Sequence, residues 1–195
     1  MGVCFYMSAK DKEKWNRKYG TNEYIGGKAA CEWLTDNTEV LTGTGRALDI
    51  AMGEGRNSIY LAQLGFEVTG IDVSDVGVKK ARALAEEKNI ELNTIIADLD
   101  DYKFKEESFD LAVCFNFLDR NLFPKIREIL CPGGLIIYET FSIDFLKYSS
   151  FKKEWVLGEG ELLKEFQGYR ILRYREVDNG QKGFASIIAQ KPLRD

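Results

Sequence analysis

Short apolar runs alternate with helically spaced apolar positions through the middle of this chain. Leu48, Ile50 and Ala51 form the first such run. Gly53 and Gly55 break it, and from Arg56 onward the apolar residues fall at Ile59, Ala62 and Leu64, a helical spacing. The pattern predicts a strand over 47–51 and a helix over 57–64 that Gly65 ends. It then predicts a strand over 67–71, a helix over 75–88 with Ser74 as its N-cap, and a strand over 92–97. A strand over 109–115 and a helix over 123–130 follow, with Pro124 in the helix's first turn. Cys131-Pro132-Gly133-Gly134 reads as the stop of that helix, and 135–139 as the fifth strand. Upstream, a helix over 10–19 sets Trp15 and Tyr19 four apart on one face, and a second helix is predicted over 29–34. Downstream, a helix over 161–166 precedes strands over 169–177 and 184–190, which flank the hairpin signal Asn179-Gly180. This is the pattern of a doubly wound α/β sheet with five parallel strands and a terminal antiparallel hairpin.

With 195 residues the chain is expected to form a single domain spanning 1–195. Its composition, 45% apolar and 30% charged, is that of an ordinary globular protein. The net charge of −4 argues against a protein that clamps bare nucleic acid. There is no histidine, so a His-bearing metal site and a His-dependent mechanism are both ruled out. The cysteines, at 4, 31, 114 and 131, form no Cys-x-x-Cys pair and read as reduced thiols, with no metal site. The segment 1–6 is short for a signal peptide, and no apolar run approaches ~20 residues. A cytoplasmic location and no membrane partner are expected.

The chemistry concentrates where strands end, because open α/β sheets bind ligands at the carboxyl ends of their strands. The first strand runs into Gly53-Glu54-Gly55, and glycine lets backbone approach a ligand closely. A dinucleotide site would continue to a third glycine, but Ser58 stands there. Asp49 lies just before the turn and Glu54 inside it. Acids there disfavour a pyrophosphate and favour an ammonium or a sulfonium. S-adenosylmethionine (SAM) carries both cations and no phosphate, and is preferred over NAD(P). Asp72 follows Gly55 by 17 residues, near the ~20 expected of an acid that holds ribose hydroxyls. Val73 and Ser74 come next. Asp98, between Ala97 and Leu99, suits the exocyclic amine and face of an adenine. Asn116, between Phe115 and Phe117, follows the fourth strand and is a candidate to face the reacting methyl. Each acid also has a plain reading, as a cap or a loop residue.

These residues resemble a family. Leu48-Asp49-Ile50-Ala51-Met52-Gly53-Glu54-Gly55-Arg56-Asn57, with Tyr60-Leu61-Ala62, Gly65-Phe66-Glu67-Val68 and Asp72-Val73-Ser74, are similar to class I SAM-dependent methyltransferases. The Arg-Asn continuation of the turn resembles the tellurite-resistance-type branch. Asp98-Leu99, Pro132-Gly133-Gly134 and the terminal hairpin extend the resemblance over about 10–190. It implies a Rossmann-like, seven-stranded sheet in order 3-2-1-4-5-7-6 with strand 7 antiparallel. It also implies SAM binding through Gly53, Gly55, Asp72 and Asp98, with S-adenosylhomocysteine (SAH) as product. Trp15, Tyr19, Asp49, Arg56, Asn57, Val73, Ser74, Leu99 and Asn116 complete the expected cofactor set. Met52 stands where the branch often carries cysteine.

Two segments are expected to cover the ligands. Residues 1–40 form an N-terminal helical lid, or a stripe docked on the domain; Trp15 and Tyr19 fit either. Residues 140–158 form an acceptor lid rich in aromatics, Phe141, Phe145, Tyr148, Phe151 and Trp155, or a local cluster on the sheet edge. Lys147, Lys152 and Lys153 lie within it. Asn116, Asp119 and Glu139 are the candidates for a catalytic role, and Arg120 for holding an anionic group. A thiolate or similar soft nucleophile needs no base, so a small-molecule acceptor of that kind is expected. The other readings are an RNA or protein methyltransferase and a non-catalytic SAM-binding regulator. Asn116-Phe117-Leu118-Asp119 lacks the Asn-Pro-Pro-Tyr pattern of base methylation.

Overall fold

The structure, a computed structural model, describes residues 9–41 and 43–194. Cys4 and the start of the predicted lid lie outside the described residues. Seven strands form one sheet in order β3-β2-β1-β4-β5-β7-β6, the order implied by the family resemblance. Its contacts divide the chain into two compact units, one ending at Lys103 and the other beginning at Phe104.

In the first unit, α1 (Ala9–Tyr19) and the short α2 (Glu32–Thr35) precede β1 (Arg46–Ile50), α3 (Arg56–Gln63), β2 (Glu67–Asp72), α4 (Asp75–Glu87) and β3 (Asn93–Ile96). The three strands are parallel, with Leu48 opposite Thr69 and Ile71 opposite Ile95. Leu48, Ile50, Val68 and Ile71 are almost fully buried, as strands covered on both faces require. Val78 and Ala81 of α4 pack with Met52, and Leu84 and Ala85 with Ile59 of α3. Ser74 caps α4 as predicted, its hydroxyl oxygen accepting from Gly77 N at 3.0 Å. Gly65, at φ +104°, closes α3. The helix predicted over 29–34 is only one turn long.

The second unit holds β4 (Phe109–Phe115), α5 (Leu122–Ile129), β5 (Leu130–Phe141), α6 (Glu161–Glu165), β6 (Arg170–Asp178) and β7 (Gly183–Gln190). β4 and β5 are parallel, and β7 lies antiparallel between β5 and β6. Phe123, with no exposed surface, packs against Tyr138 and Phe166. Cys131-Pro132-Gly133-Gly134 lies inside β5 rather than before it. The register jumps from Phe109↔Leu130 to Leu111↔Leu135, so these residues bulge out of the ladder, where proline needs no N–H partner and Gly133 adopts φ +80°. The far side of the bulge is still paired: Gly133 N donates to Lys191 O and Lys191 N to Gly134 O.

Among the described cysteines, Cys31 and Cys114 are buried and Cys131 is half-buried, and none is bonded to another. Among the described residues no helix is long and apolar enough to cross a membrane.

Candidate active site

The first unit assembles most of the sequence-predicted site. β1 leaves the sheet through Ala51 at φ +55°, a left-handed conformation unusual for alanine, and Gly53 at φ +55° and Gly55 at φ +83° complete the turn. Gly55 opens α3. A Cβ there would lie 2.6 Å from Ala81 Cβ, so α4 packs directly on the turn. Asp49 is 1% exposed and accepts the Ser58 hydroxyl at 2.6 Å. Ser58 is the third residue of α3, which places the carboxylate at the helix's electropositive start. Burial pushes Asp49 up to about 7, opposed by hydrogen bonds from the Ser58 side chain and backbone.

That shift has a measurable consequence. A carboxyl with a raised folded-state pKa binds more protons folded than unfolded between about pH 4 and 7, so its effect on stability turns less favourable as pH rises through that window. Asp49→Asn is expected to remove this contribution. Wild-type stability should fall relative to the variant from pH 4 to 7 and run parallel above it, as read by urea denaturation at each pH.

Asp72 ends β2 and joins the glycine turn to α4. One carboxylate oxygen accepts from Gly53 N and the other from Ser74 N, both at 2.8 Å. Burial raises its pKa and these N–H groups oppose the rise. Val73 N–H adds to them, and of a carboxylate's four acceptor directions one remains for a further donor. Asp98 follows β3, half-buried, accepting from Asp100 N at 3.0 Å. Burial raises its pKa, with Asp100, Asp101 and Asp11 adding negative potential. Leu99 is buried beside it and Val73 beside Asp72.

The chain from α1 to α2 straps across this turn. Trp15 and Tyr19 stack at 5.5 Å. The Tyr19 ring lies over Gly53 and Gly77, so close that a Cβ on Gly53 would meet its hydroxyl at 2.6 Å. Burial raises the Tyr19 pKa, and Asp72 and Glu54 add to the rise. Asn16 accepts from the Ser74 hydroxyl and donates to Asp75. Lys18 covers the Trp15 ring at 4.4 Å.

Three residues expected near the ligand face the strap. Arg56 donates to Gly26 O and Cys31 Sγ, and Asn57 accepts from Cys31 N. Glu54 accepts from Ile25 N at 2.7 Å and pairs with Lys80 at 2.5 Å. The negative potential expected of Glu54 is therefore neutralised locally, and Asp49, Asp72 and Asp98 remain as the acids of the strand ends. Sequence reasoning missed Lys80. Its partners lie 26 to 61 residues away, and nothing local marks it.

In the second unit, Asn116 ends β4, exposed and at φ +54°, with its N–H given to Glu139 O. Asp119 accepts from Asn121 N at the start of α5. Glu139 accepts from the Ser186 hydroxyl at 2.5 Å and from Arg175 at 3.1 Å. Arg120, expected to hold a substrate anion, forks onto Glu161 and donates to Glu154 O and Val156 O. It staples the 153–161 stretch instead. Phe141 stacks on Phe145 at 4.1 Å and packs with Phe151 and Phe184. Trp155 meets Phe151 edge-on, and both are exposed. Lys147 pairs with Asp144 and Asp178, and Lys152 with Glu154.

Comparisons with known proteins agree with this geometry. Residues 47–134 match the methyltransferase domain family. The chain is 25% identical over 93% of its length to TehB of Haemophilus influenzae, described as an S-adenosyl-L-methionine-dependent methyltransferase, and spans 67% of that protein. The TehB crystal structure superposes with a TM-score of 0.70 at 22% identity, covering 92% of this chain and 66% of that one. A ubiquinone biosynthesis O-methyltransferase of Coxiella burnetii is 26% identical over 52% of the chain and 45% of its own length. The [4+2]-cyclase SpnF shares the fold at a TM-score of 0.75 and 18% identity, with 96% and 97% of the two chains covered. The domain match over residues 47–134, the similarity to TehB and the strand order make this chain similar to the class I SAM-dependent methyltransferases.

Proposed function

We propose that this protein moves a methyl group from SAM to a small-molecule acceptor, a thiol or another soft nucleophile, and releases SAH. The observation that carries the reading is the succession of strand ends in the first unit: a glycine turn after β1, Asp72 after β2 and Asp98-Leu99 after β3. These residues fit the cofactor. Gly53 and Gly55 allow close backbone approach, Asp72 offers an acceptor direction for a ribose hydroxyl, and Asp98 with Leu99 suits the adenine edge and face. Tyr19, with Trp15 stacked on it, covers the turn where the amino-acid end would lie. The strand-end acids favour a cationic, phosphate-free ligand.

Bound SAM supplies a methyl group already activated on a sulfonium. The protein's part is to orient the donor and exclude water, effects that together reach ~7–11 kcal/mol in well-aligned systems. The preference for a soft nucleophile rests on the chain's candidate bases. The sequence has no histidine. Glu139 is engaged by Arg175 and Ser186, and Asp119 by the start of α5. A nucleophile that arrives ionised at neutral pH needs neither.

SpnF shows that this fold also serves another reaction, so turnover has to be measured directly. Incubation with methyl-labelled SAM and a panel of small thiols is expected to give labelled thioether and SAH in equal amounts. Binding of SAM with no SAH formed from any thiol, amine or phenol would leave a regulator rather than an enzyme.

A further inference from the structure

Lys80 sits on α4, outside the strand ends, yet the strap converges on it. Its ammonium pairs with Glu54 at 2.5 Å and lies within 2.6 Å of Glu23 O, 3.2 Å of Thr21 O and 3.3 Å of Tyr19 O. The Tyr24 ring lies 4.7 Å from it, and the Tyr24 hydroxyl donates back to Lys80 O. The Lys80 side chain is 16% exposed and that of Glu54 is 5% exposed. Three alternate carbonyls, a carboxylate and an aromatic face thus surround one cation. The cation offsets the mutual repulsion of these carbonyls and the carboxylate and so favours the curl of residues 19–25. The first residue of the curl is Tyr19, whose ring covers Gly53 and Gly77.

We infer that Lys80 is a positioning residue for the cofactor: it holds the strap closed and so fixes Tyr19 over the glycine turn. This rests on the SAM reading above. Glu54, inside the turn, couples the two, since the carboxylate that accepts from Ile25 N also pairs with Lys80. In this arrangement the turn and its cover share one ion pair. The cover must loosen for the cofactor to enter and re-form over it, and Lys80 favours the re-formed state.

The test is calorimetric titration of wild-type, Lys80→Met and Lys80→Arg proteins with SAH, alongside chymotrypsin digestion read by mass spectrometry. Lys80→Met is expected to raise the SAH Kd about tenfold, to raise KM for SAM by more than it lowers kcat, and to speed cleavage after Tyr19 and Tyr24. Saturating SAH should slow that cleavage, and Lys80→Arg should recover most of the affinity. If Lys80→Met does not fold, the Glu54→Gln/Lys80→Met double variant, which leaves no unpaired buried charge, is expected to show the same loss. A folded variant that binds SAH as the wild type does, with the strap equally protected, would overturn the inference. Wild-type protein that takes up no SAH would remove the cofactor reading and this inference together, whereas wild-type binding with unchanged variant binding removes the inference alone.

Discussion

Asp72→Ala is expected to weaken SAH binding by ~1.5–3 kcal/mol, about ten- to 150-fold, the range for a hydrogen bond to a charged group. Calorimetry reads this directly. The structure adds a second effect. Asp72 accepts from Gly53 N and Ser74 N, so alanine leaves two N–H groups without their acceptor. Each such loss costs ~1–3 kcal/mol when the group stays buried. The variant is therefore expected to melt earlier as well, and binding must be measured where circular dichroism shows it folded. Asp72→Asn keeps one carbonyl oxygen and should fall between the wild type and the alanine variant on both measures. Undiminished affinity in a folded Asp72→Ala protein would refute the ribose assignment.

Gly55→Ala is expected to destabilise the protein by ~2–5 kcal/mol. Two causes add. The residue sits at φ +83°, where a side chain costs ~1–2 kcal/mol. The new Cβ would also stand 2.6 Å from Ala81 Cβ and 3.1 Å from Ala81 Cα, and crowding of that kind costs ~1–3 kcal/mol. Gly180 provides the control. It has nearly the same φ, +81°, but no atom lies within 4 Å of where its Cβ would stand. Gly180→Ala should show only the conformational cost, and the difference between the two variants in urea denaturation isolates the packing of α4 on the turn. Equal losses in both would mean that Ala81 does not set the position of the turn. Against a typical total of ~5–15 kcal/mol, the larger loss is a substantial share of the stability.

The strand–turn–helix alternation was legible because period and punctuation agree locally. Gly65, Ser74 and Pro124 mark helix ends by chemistry that acts within one turn, and each does so in the structure. The strand ends were legible for the same reason: an acid directly after an apolar run can be read in place. Cys131-Pro132-Gly133-Gly134 misled because a bulge and a helix stop use the same residues, and only pairing with β4 and β7 separates them. Arg56, Asn57, Glu54 and Arg120 make contacts that no local pattern announces. A charged or amide side chain near a predicted site reads as a ligand contact, but each finds its partner far along the chain, at Cys31, Gly26, Lys80 or Glu161. Long-range pairing of this kind leaves no periodic trace. The aromatic segment around Phe141 forms the local cluster that was one of its two readings, and Phe151 and Trp155 keep exposed faces as well.

The central claim is that the acids at these strand ends suit a cationic, phosphate-free adenosyl ligand. Calorimetric titration of the wild-type protein with SAM, SAH and NADH tests it most directly. One-to-one binding of SAM and SAH with dissociation constants in the micromolar range, and no heat from NADH, is the predicted result. Saturable NADH binding with none of SAM or SAH would contradict it.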